Sequence, residues 1–69
     1  MQSIKKISKR EAEVLQLIAL EHTTQEIANK LFLSKQTIIS HRKNLMRKLE
    51  VRNVAGMVRE GFQRGILSF

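Results

Sequence analysis

The chain has 69 residues, with thirteen lysines and arginines against six acids and a net charge of +7. It has no cysteine, so disulfides and cysteine zinc sites are excluded, and it has no apolar run long enough to span a membrane. This length holds one small domain. An isoelectric point near 10.7 favours a nucleic-acid partner. The lack of cysteine is compatible with the cytoplasm, which is the expected location.

Caps and apolar periodicity predict four helices. The first begins after Ser8, since Ser8 and Glu11 have the spacing of a capping box, and ends near Glu21. The second begins after Thr23, where Thr23 and Glu26 repeat the pattern. The apolar residues that these two helices are expected to bury are Val14, Leu15, Ile18, Ala19, Ile27, Ala28 and Leu31.

The third helix is predicted from the N-cap Ser34 to about Leu49, and its two sides differ in chemistry. One side, expected in the core, carries Ile38, His41, Leu45 and Leu49. The opposite side carries Gln36, Ile39, Ser40, Lys43 and Arg47. The flanks carry Lys35, Thr37, Arg42, Asn44 and Lys48. No acid occurs between Ser34 and Leu49, so the outer side is cationic.

The fourth helix is predicted to begin at the cap Asn53 and to end at Gly65. A first apolar stripe, expected in the core, comprises Val51, Ala55, Val58, Phe62 and Ile66. A second stripe beside it comprises Val54, Met57 and Gly61. This second stripe is either additional core or a dimer contact, in which the small Gly61 permits close approach of two helices.

A short turn at residues 32–34 separates the second and third helices, which is the spacing of a helix-turn-helix. In this motif the later helix enters the major groove of DNA, and residues of its first half meet base edges. The groove admits one helix, which needs a core face to anchor it and an outer face without acids. The third helix meets both requirements, so it is the predicted recognition helix.

The outer side chains have the chemistry of base recognition. Lys43 and Arg47 suit guanine, Gln36 suits adenine or a phosphate, and the short Ser40 adapts to several bases. Ile39 suits a thymine methyl group, although it is alternatively a core residue on a wide apolar stripe. The flanking residues suited to phosphates are Lys35, Thr37, Arg42, Asn44 and Lys48.

Other functions have less support from the residues. His41 is interpreted as a packed histidine, with a phosphate contact or pH sensing as alternatives. The two histidines lack an acid pair or cysteine nearby, so no metal site, cofactor or enzyme activity is expected. A helical module that binds proteins of the transcription machinery is the alternative function. A membrane-active helix is disfavoured, because the capping boxes specify a packed fold.

The chain resembles the LuxR-type (GerE-like) helix-turn-helix domain of NarL and FixJ response regulators and of quorum-sensing regulators. The matching stretches are ISKREAEVL at 7–15, TTQEIA at 23–28, LFLS at 31–34, Thr37-Ile38 with His41, and KLEVRN at 48–53. The resemblance implies an all-α fold of four helices and dimerisation through the fourth. It also implies backbone contacts from Thr37 and Lys48, and base contacts from Ile39, Ser40 and Lys43.

Three residues depart from the family pattern. Glu21 and Glu50 stand where the family usually has glycine, so each must adopt a backbone conformation that glycine adopts more easily or reshape its turn. Ile39 stands where a lysine or arginine is frequent, which implies a different target sequence. The expected organisation is an N-terminal arm at 1–6 and a DNA-binding domain at 7–69. The chain is either a freestanding regulator or a domain excised from a longer one. The expected partners are double-stranded DNA, a second copy on DNA, and RNA polymerase.

Overall fold

The computed structural model describes residues 6–68. In this range the chain forms α1 (Lys9–Ala19), α2 (Thr24–Leu31), α3 (Lys35–Leu49) and α4 (Val54–Gln63), with no strand. The predicted all-α architecture of four helices is therefore confirmed. The predicted N-terminal arm, residues 1–6, lies outside the described residues except for Lys6. None of the described helices has the length and apolar character needed to cross a bilayer.

Both predicted capping boxes are present. Ser8 Oγ accepts a hydrogen bond from the Glu11 amide at 3.1 Å, and Glu11 Oε1 accepts one from the Ser8 amide at 2.9 Å. Thr23 and Glu26 form the same reciprocal pair, at 3.1 and 2.8 Å. Each box satisfies two backbone donors at a helix start that would otherwise lack a partner. They define where α1 and α2 begin.

All four helices are followed by a residue in the left-handed backbone region. Glu21, Phe32 and Glu50 have φ of 69°, 57° and 58°, and Gly65 has 74°. The turn after α3 closes with a hydrogen bond from the Val51 amide to the Met46 carbonyl at 3.1 Å. Glu21 and Glu50 therefore adopt the glycine-type conformation that the family pattern requires, at an energetic cost to a residue with a side chain.

The core lies where α1, α2 and α3 meet and is closed by α4 and the chain after it. The predicted inner faces of α1 to α3 are confirmed in their main residues. The fully or nearly fully buried apolar residues are Val14, Leu15, Ile18, Ile27, Ala28, Ile38, Leu45, Leu49, Met57 and Leu67. Burial of this apolar surface is the main favourable term in folding.

Of the two interpretations of the second stripe of α4, additional core is the one that the structure supports. The first stripe reaches the core only through Val51, Val58 and Ile66. Met57 is 0% exposed and Gly61 is buried, so both lie in the core of the single chain, whereas Ala55 and Phe62 lie on the surface. A Cβ atom placed on Gly61 would come within 2.6 Å of Leu67 and 3.0 Å of Leu15. Gly61 thus permits close approach of the chain's own C-terminal segment. Met57 and Gly61 are not available for the dimer contact predicted for them, and only Val54 of that set is exposed.

Candidate nucleic-acid interface

The third helix is held by its inner face. Ile38, Leu45 and Leu49 are buried at intervals that bring them to one side of α3, as helical spacing predicts. The opposite side is directed to solvent, and Gln36, Ser40, Lys43 and Arg47 are exposed there. Burial of the apolar side therefore fixes the orientation of α3, and its cationic side faces outward.

Ile39 is half-buried, between these two sides. It is not among the partly buried apolar residues that pack against the core, so the interpretation of Ile39 as a core residue has no support. His41 is also half-buried, as expected for a histidine at the edge of the core face.

The start of α3 is a compact polar cap. Ser34 Oγ accepts a hydrogen bond from the Thr37 amide at 3.0 Å, and it lies 2.8 Å from Thr37 Oγ1. The cap satisfies only part of the amide donors in the first turn, and the remaining ones carry the positive end of the helix dipole. Lys35 is exposed in the same turn. Positive potential and free donors are thus combined where an anion can approach.

Two further hydrogen bonds involve side chains of α3 that the sequence assigns to DNA contacts. Arg42 Nη1 donates to Thr24 Oγ1 at 3.3 Å, which links the middle of α3 to the first residue of α2. Arg47 Nη2 donates to Asn44 Oδ1 at 3.3 Å, one turn away on the same helix. The guanidinium of Arg42 therefore lies beside the start of α2, where that helix also presents its positive end.

Lys48 has a partner within the protein. Its Nζ donates to Glu11 Oε1 at 2.8 Å and to the Lys6 carbonyl at 3.1 Å, and its side chain is only 19% exposed. Burial raises the pKa of the Glu11 carboxyl, but hydrogen bonds from Lys48 and Ser8 together hold it below its usual value. The ammonium that sequence analysis assigns to a phosphate is thus engaged by a buried carboxylate. The phosphate contact assigned to Lys48 from the sequence would require this ammonium to leave Glu11.

Sequence analysis identified Glu11 only as the end of a capping box. Glu11 also accepts a hydrogen bond from Lys48, which lies 37 positions away, so no local sequence pattern predicts this contact. A chemical signal was available, because an acid that faces a core needs a partner. The link between Thr24 and Arg42 was missed for the same reason.

Residues 5–60 match the family model described as bacterial regulatory proteins of the luxR family. The chain belongs to the LuxR family. It is a DNA-binding regulatory domain with a helix-turn-helix formed by α2 and α3.

Two curated relatives of this LuxR-family domain are response regulators or regulatory proteins. The chain is 42% identical over 60 residues to the uncharacterized response regulatory protein YgeK of Escherichia coli, covering 87% of this chain and 41% of that protein. It is 38% identical over 63 residues to the oxygen regulatory protein NreC of Staphylococcus carnosus, covering 91% and 29%. The chain therefore spans less than half the length of these relatives.

Two solved structures share the fold. The response regulator ChrA of a heme-sensing two-component system superposes with a TM-score of 0.88 at 27% identity, covering 96% of this chain and 33% of that one. The transcription factor GerE superposes with a TM-score of 0.85 at 30% identity, covering 97% of both chains. The oxygen and heme responses named for these relatives belong to those proteins.

Proposed function

We propose that this LuxR-family domain is a sequence-specific transcription regulator that inserts α3 into the major groove of duplex DNA. The observation that carries the proposal is the outer side of α3, which is exposed, cationic and without an acid from Lys35 to Leu49. A B-DNA major groove admits a helix presented in this way. A regulator with this function acts on DNA in the bacterial cytoplasm.

Base recognition is assigned to the exposed side of α3. Arg47 and Lys43 donate to the O6 and N7 atoms of guanine, and Gln36 pairs with adenine or reaches a phosphate. Ser40 lies between these positions and is exposed. Ile39 offers its accessible edge to a thymine methyl group, because an apolar side chain cannot replace a hydrogen-bonding lysine at this position. The expected half-site thus combines guanine with at least one thymine.

Backbone recognition is assigned to the first turn and the flanks of the same helix. Lys35 and the free amides of the first turn are suited to one phosphate, with Thr37 at their side. Arg42 and Asn44 are suited to phosphates on the flanks, although both also make hydrogen bonds within the protein. These contacts determine the position of the helix on DNA and contribute no sequence preference directly.

Pairing of two copies on DNA is assigned to the exposed stripe of α4. Val54, Ala55 and Phe62 lie on the surface, and Val58 is half-buried beside them. A symmetric dimer presents one such patch twice and binds two half-sites about one helical turn apart. This α4 stripe replaces the predicted set that included Met57 and Gly61. RNA polymerase is the further partner expected of an activator.

Selection of bound duplexes from a random DNA library at near-physiological salt tests the proposal. An enriched inverted repeat is the expected result, because it requires both base recognition and two-fold pairing. An enriched single site would support recognition by a monomer and contradict pairing. A bound but unenriched pool would contradict sequence specificity and favour the alternative, a helical module that acts on proteins of the transcription machinery.

A further inference from the structure

An open groove of about 460 Å³ lies between α1 and α2. Its floor is apolar and is formed by Ala12, Leu17 and Leu31, with Gln16 at one side. Pockets of about 300–1,000 Å³ with apolar walls are typical of binding sites. The size and lining of this α1–α2 groove therefore suit side chains of a ligand or partner.

Two apolar residues outside the lining of the α1–α2 groove are also exposed. Leu20 follows Leu17 by one helical turn and is 50% exposed. Phe32 directly follows Leu31 in the chain and is 93% exposed, although phenylalanine is a residue that folding usually buries. Leu20 and Phe32 thus leave apolar side chains exposed at the ends of α1 and α2, the two helices that line the groove.

The rim of the groove is positively charged. Lys9 and Lys30 line it from the two helices, and neither has an ion pair within residues 6–68. Glu13 also lines it, but its Oε1 lies 3.1 Å from Arg10 Nη1, so its charge is compensated. The chemistry complementary to this rim is acidic. An acidic partner also distinguishes this surface from one that binds a second copy of the chain, since the chain is itself basic.

The groove does not include the recognition helix. All residues that line it belong to α1 and α2, and α2 contributes only Lys30 and Leu31 from its last turn. The outer side of α3 remains open when the groove is filled. An occupant of the groove can thus be bound while α3 contacts DNA.

We propose that the α1–α2 groove is a docking site for an acidic amphipathic helix of a partner protein. The apolar side of such a helix covers Ala12, Leu17 and Leu31, as helices do in hydrophobic grooves elsewhere. Its acidic flanks meet Lys9 and Lys30. Docking at this groove does not require sequence-specific DNA binding, so this proposal is independent of the function proposed above.

Titration of ¹⁵N-labelled protein with a synthetic helical peptide tests this proposal. The probe carries leucines at helical spacing and glutamates elsewhere; a control peptide carries lysines instead of the glutamates, and another has the same composition in shuffled order. The expected result is amide shifts at Ala12, Leu17 and Leu31 with the acidic amphipathic peptide alone. Duplex DNA of mixed sequence, added at low salt, should leave these shifts unchanged.

Variants distinguish binding of the acidic peptide at the groove from its nonspecific attraction to a basic protein. Lys30→Glu should weaken peptide binding about fivefold, since exposed ion pairs contribute little each. Lys35→Glu makes the same charge change on α3 and should have a much smaller effect. Ala12→Gln fills the groove without a charge and with only a small loss of helix propensity, and it should also weaken binding.

Four results would overturn the proposal. The first is that the acidic peptide does not bind. The second is that its amide shifts map to α3 and vanish when DNA is added, and the third is that the basic peptide binds equally well. Shifts of the groove residues on dilution of the protein alone would instead identify a second copy as the occupant. Because DNA binding is read separately at α3, failure of the docking site is distinguishable from failure of the proposed regulator function.

Discussion

Lys48 Nζ lies 2.8 Å from Glu11 Oε1, and this contact joins the last turn of α3 to the first turn of α1. Glu11 is 4% exposed and accepts from the Ser8 amide through the same oxygen atom. One carboxylate thus caps α1 and anchors the recognition helix. The orientation of α3 relative to α1 depends on a charge pair largely removed from solvent, as well as on the apolar core.

Replacement Lys48→Met should destabilise the fold and leave the salt dependence of DNA binding unchanged. Loss of the ammonium leaves the buried Glu11 carboxylate short of a partner, which costs about 1–3 kcal/mol of the free energy of unfolding. Urea denaturation and DNA titrations at several salt concentrations measure the two quantities. Lys43→Met, the same change on the exposed side of α3, is the control and should leave stability nearly unchanged.

A phosphate contact from Lys48 predicts the reverse pattern. It requires the slope of log affinity against log salt to fall by about one unit in Lys48→Met. A lower slope in Lys48→Met would show that Lys48 contacts a phosphate and so leaves Glu11 when DNA binds.

Acid should destabilise the protein partly through Glu11. The folded-state pKa of Glu11 is below its usual value of 4.5, because hydrogen bonds from Lys48 and Ser8 outweigh the effect of burial. A carboxyl whose pKa is lower in the folded state than in the unfolded state stabilises the fold. This stabilisation is fully present at pH values above the unfolded-state pKa, and it is lost as the pH falls through the folded-state pKa. Urea denaturation between about pH 6 and pH 3 measures this loss.

The variant Glu11→Gln should be less stable near neutral pH and should lose less stability as the pH falls below 4.5. Glu13→Gln removes an exposed acid from the same helix and is the charge-matched control. If the stability of the wild type and of Glu11→Gln depends equally on pH, the pairing of Glu11 with Lys48 makes no contribution to the pH dependence of stability.

Local sequence signals predicted the starts of all helices and the inner faces of three. Ser8, Thr23, Ser34 and Asn53 act within three residues of themselves, so each cap is readable from its neighbours. Contacts between residues far apart in the sequence could not be predicted from such local signals. The pairing of Glu11 with Lys48 is the clearest example, because it depends on how two helices pack.

The choice between the two apolar stripes of α4 depends on a contact outside the helix. Two adjacent apolar stripes of α4 compete for the core, and the buried residues of the helix, Met57 and Gly61, belong to the second one. The outcome depends on Leu67, which returns against Gly61 after the helix ends and needs the space left by the missing side chain. Periodicity within a helix contains no information on such a returning segment.

Replacement Lys43→Ala should weaken binding to the selected site more than binding to mixed DNA. A base contact in the major groove is worth about 1–3 kcal/mol, which is roughly 5- to 150-fold in affinity. Fluorescence titrations with both duplexes measure the difference. Lys9→Ala removes the same charge from an exposed position on α1 and should affect both duplexes slightly. Equal losses on both duplexes in Lys43→Ala would contradict base recognition by this residue.

Replacement Glu50→Gly should stabilise the protein. Glu50 has φ 58° and ψ 48°, a conformation that costs a residue with a Cβ atom about 1–2 kcal/mol. Glycine avoids this cost but loses about 0.5–1 kcal/mol through the greater freedom of the unfolded chain. Thermal denaturation should therefore show a gain of up to about 1.5 kcal/mol.

Glu50→Ala removes the same charge and retains the Cβ atom, so it isolates the backbone effect. Equal stabilisation by alanine and glycine would attribute the gain to loss of an acid at the helix C-terminus, where negative charge is unfavourable.

Replacement Ala55→Glu should abolish cooperative binding to an inverted repeat while a single half-site is still bound. Ala55 lies in the exposed stripe of α4, and two glutamates brought together in a symmetric contact repel each other. The fold should persist, since an acid in the first turn of a helix is favourable. Gln63→Glu makes the same charge change on α4 outside the stripe and should retain cooperativity. If Ala55→Glu binds the repeat as cooperatively as the wild type, the two copies pair through another surface.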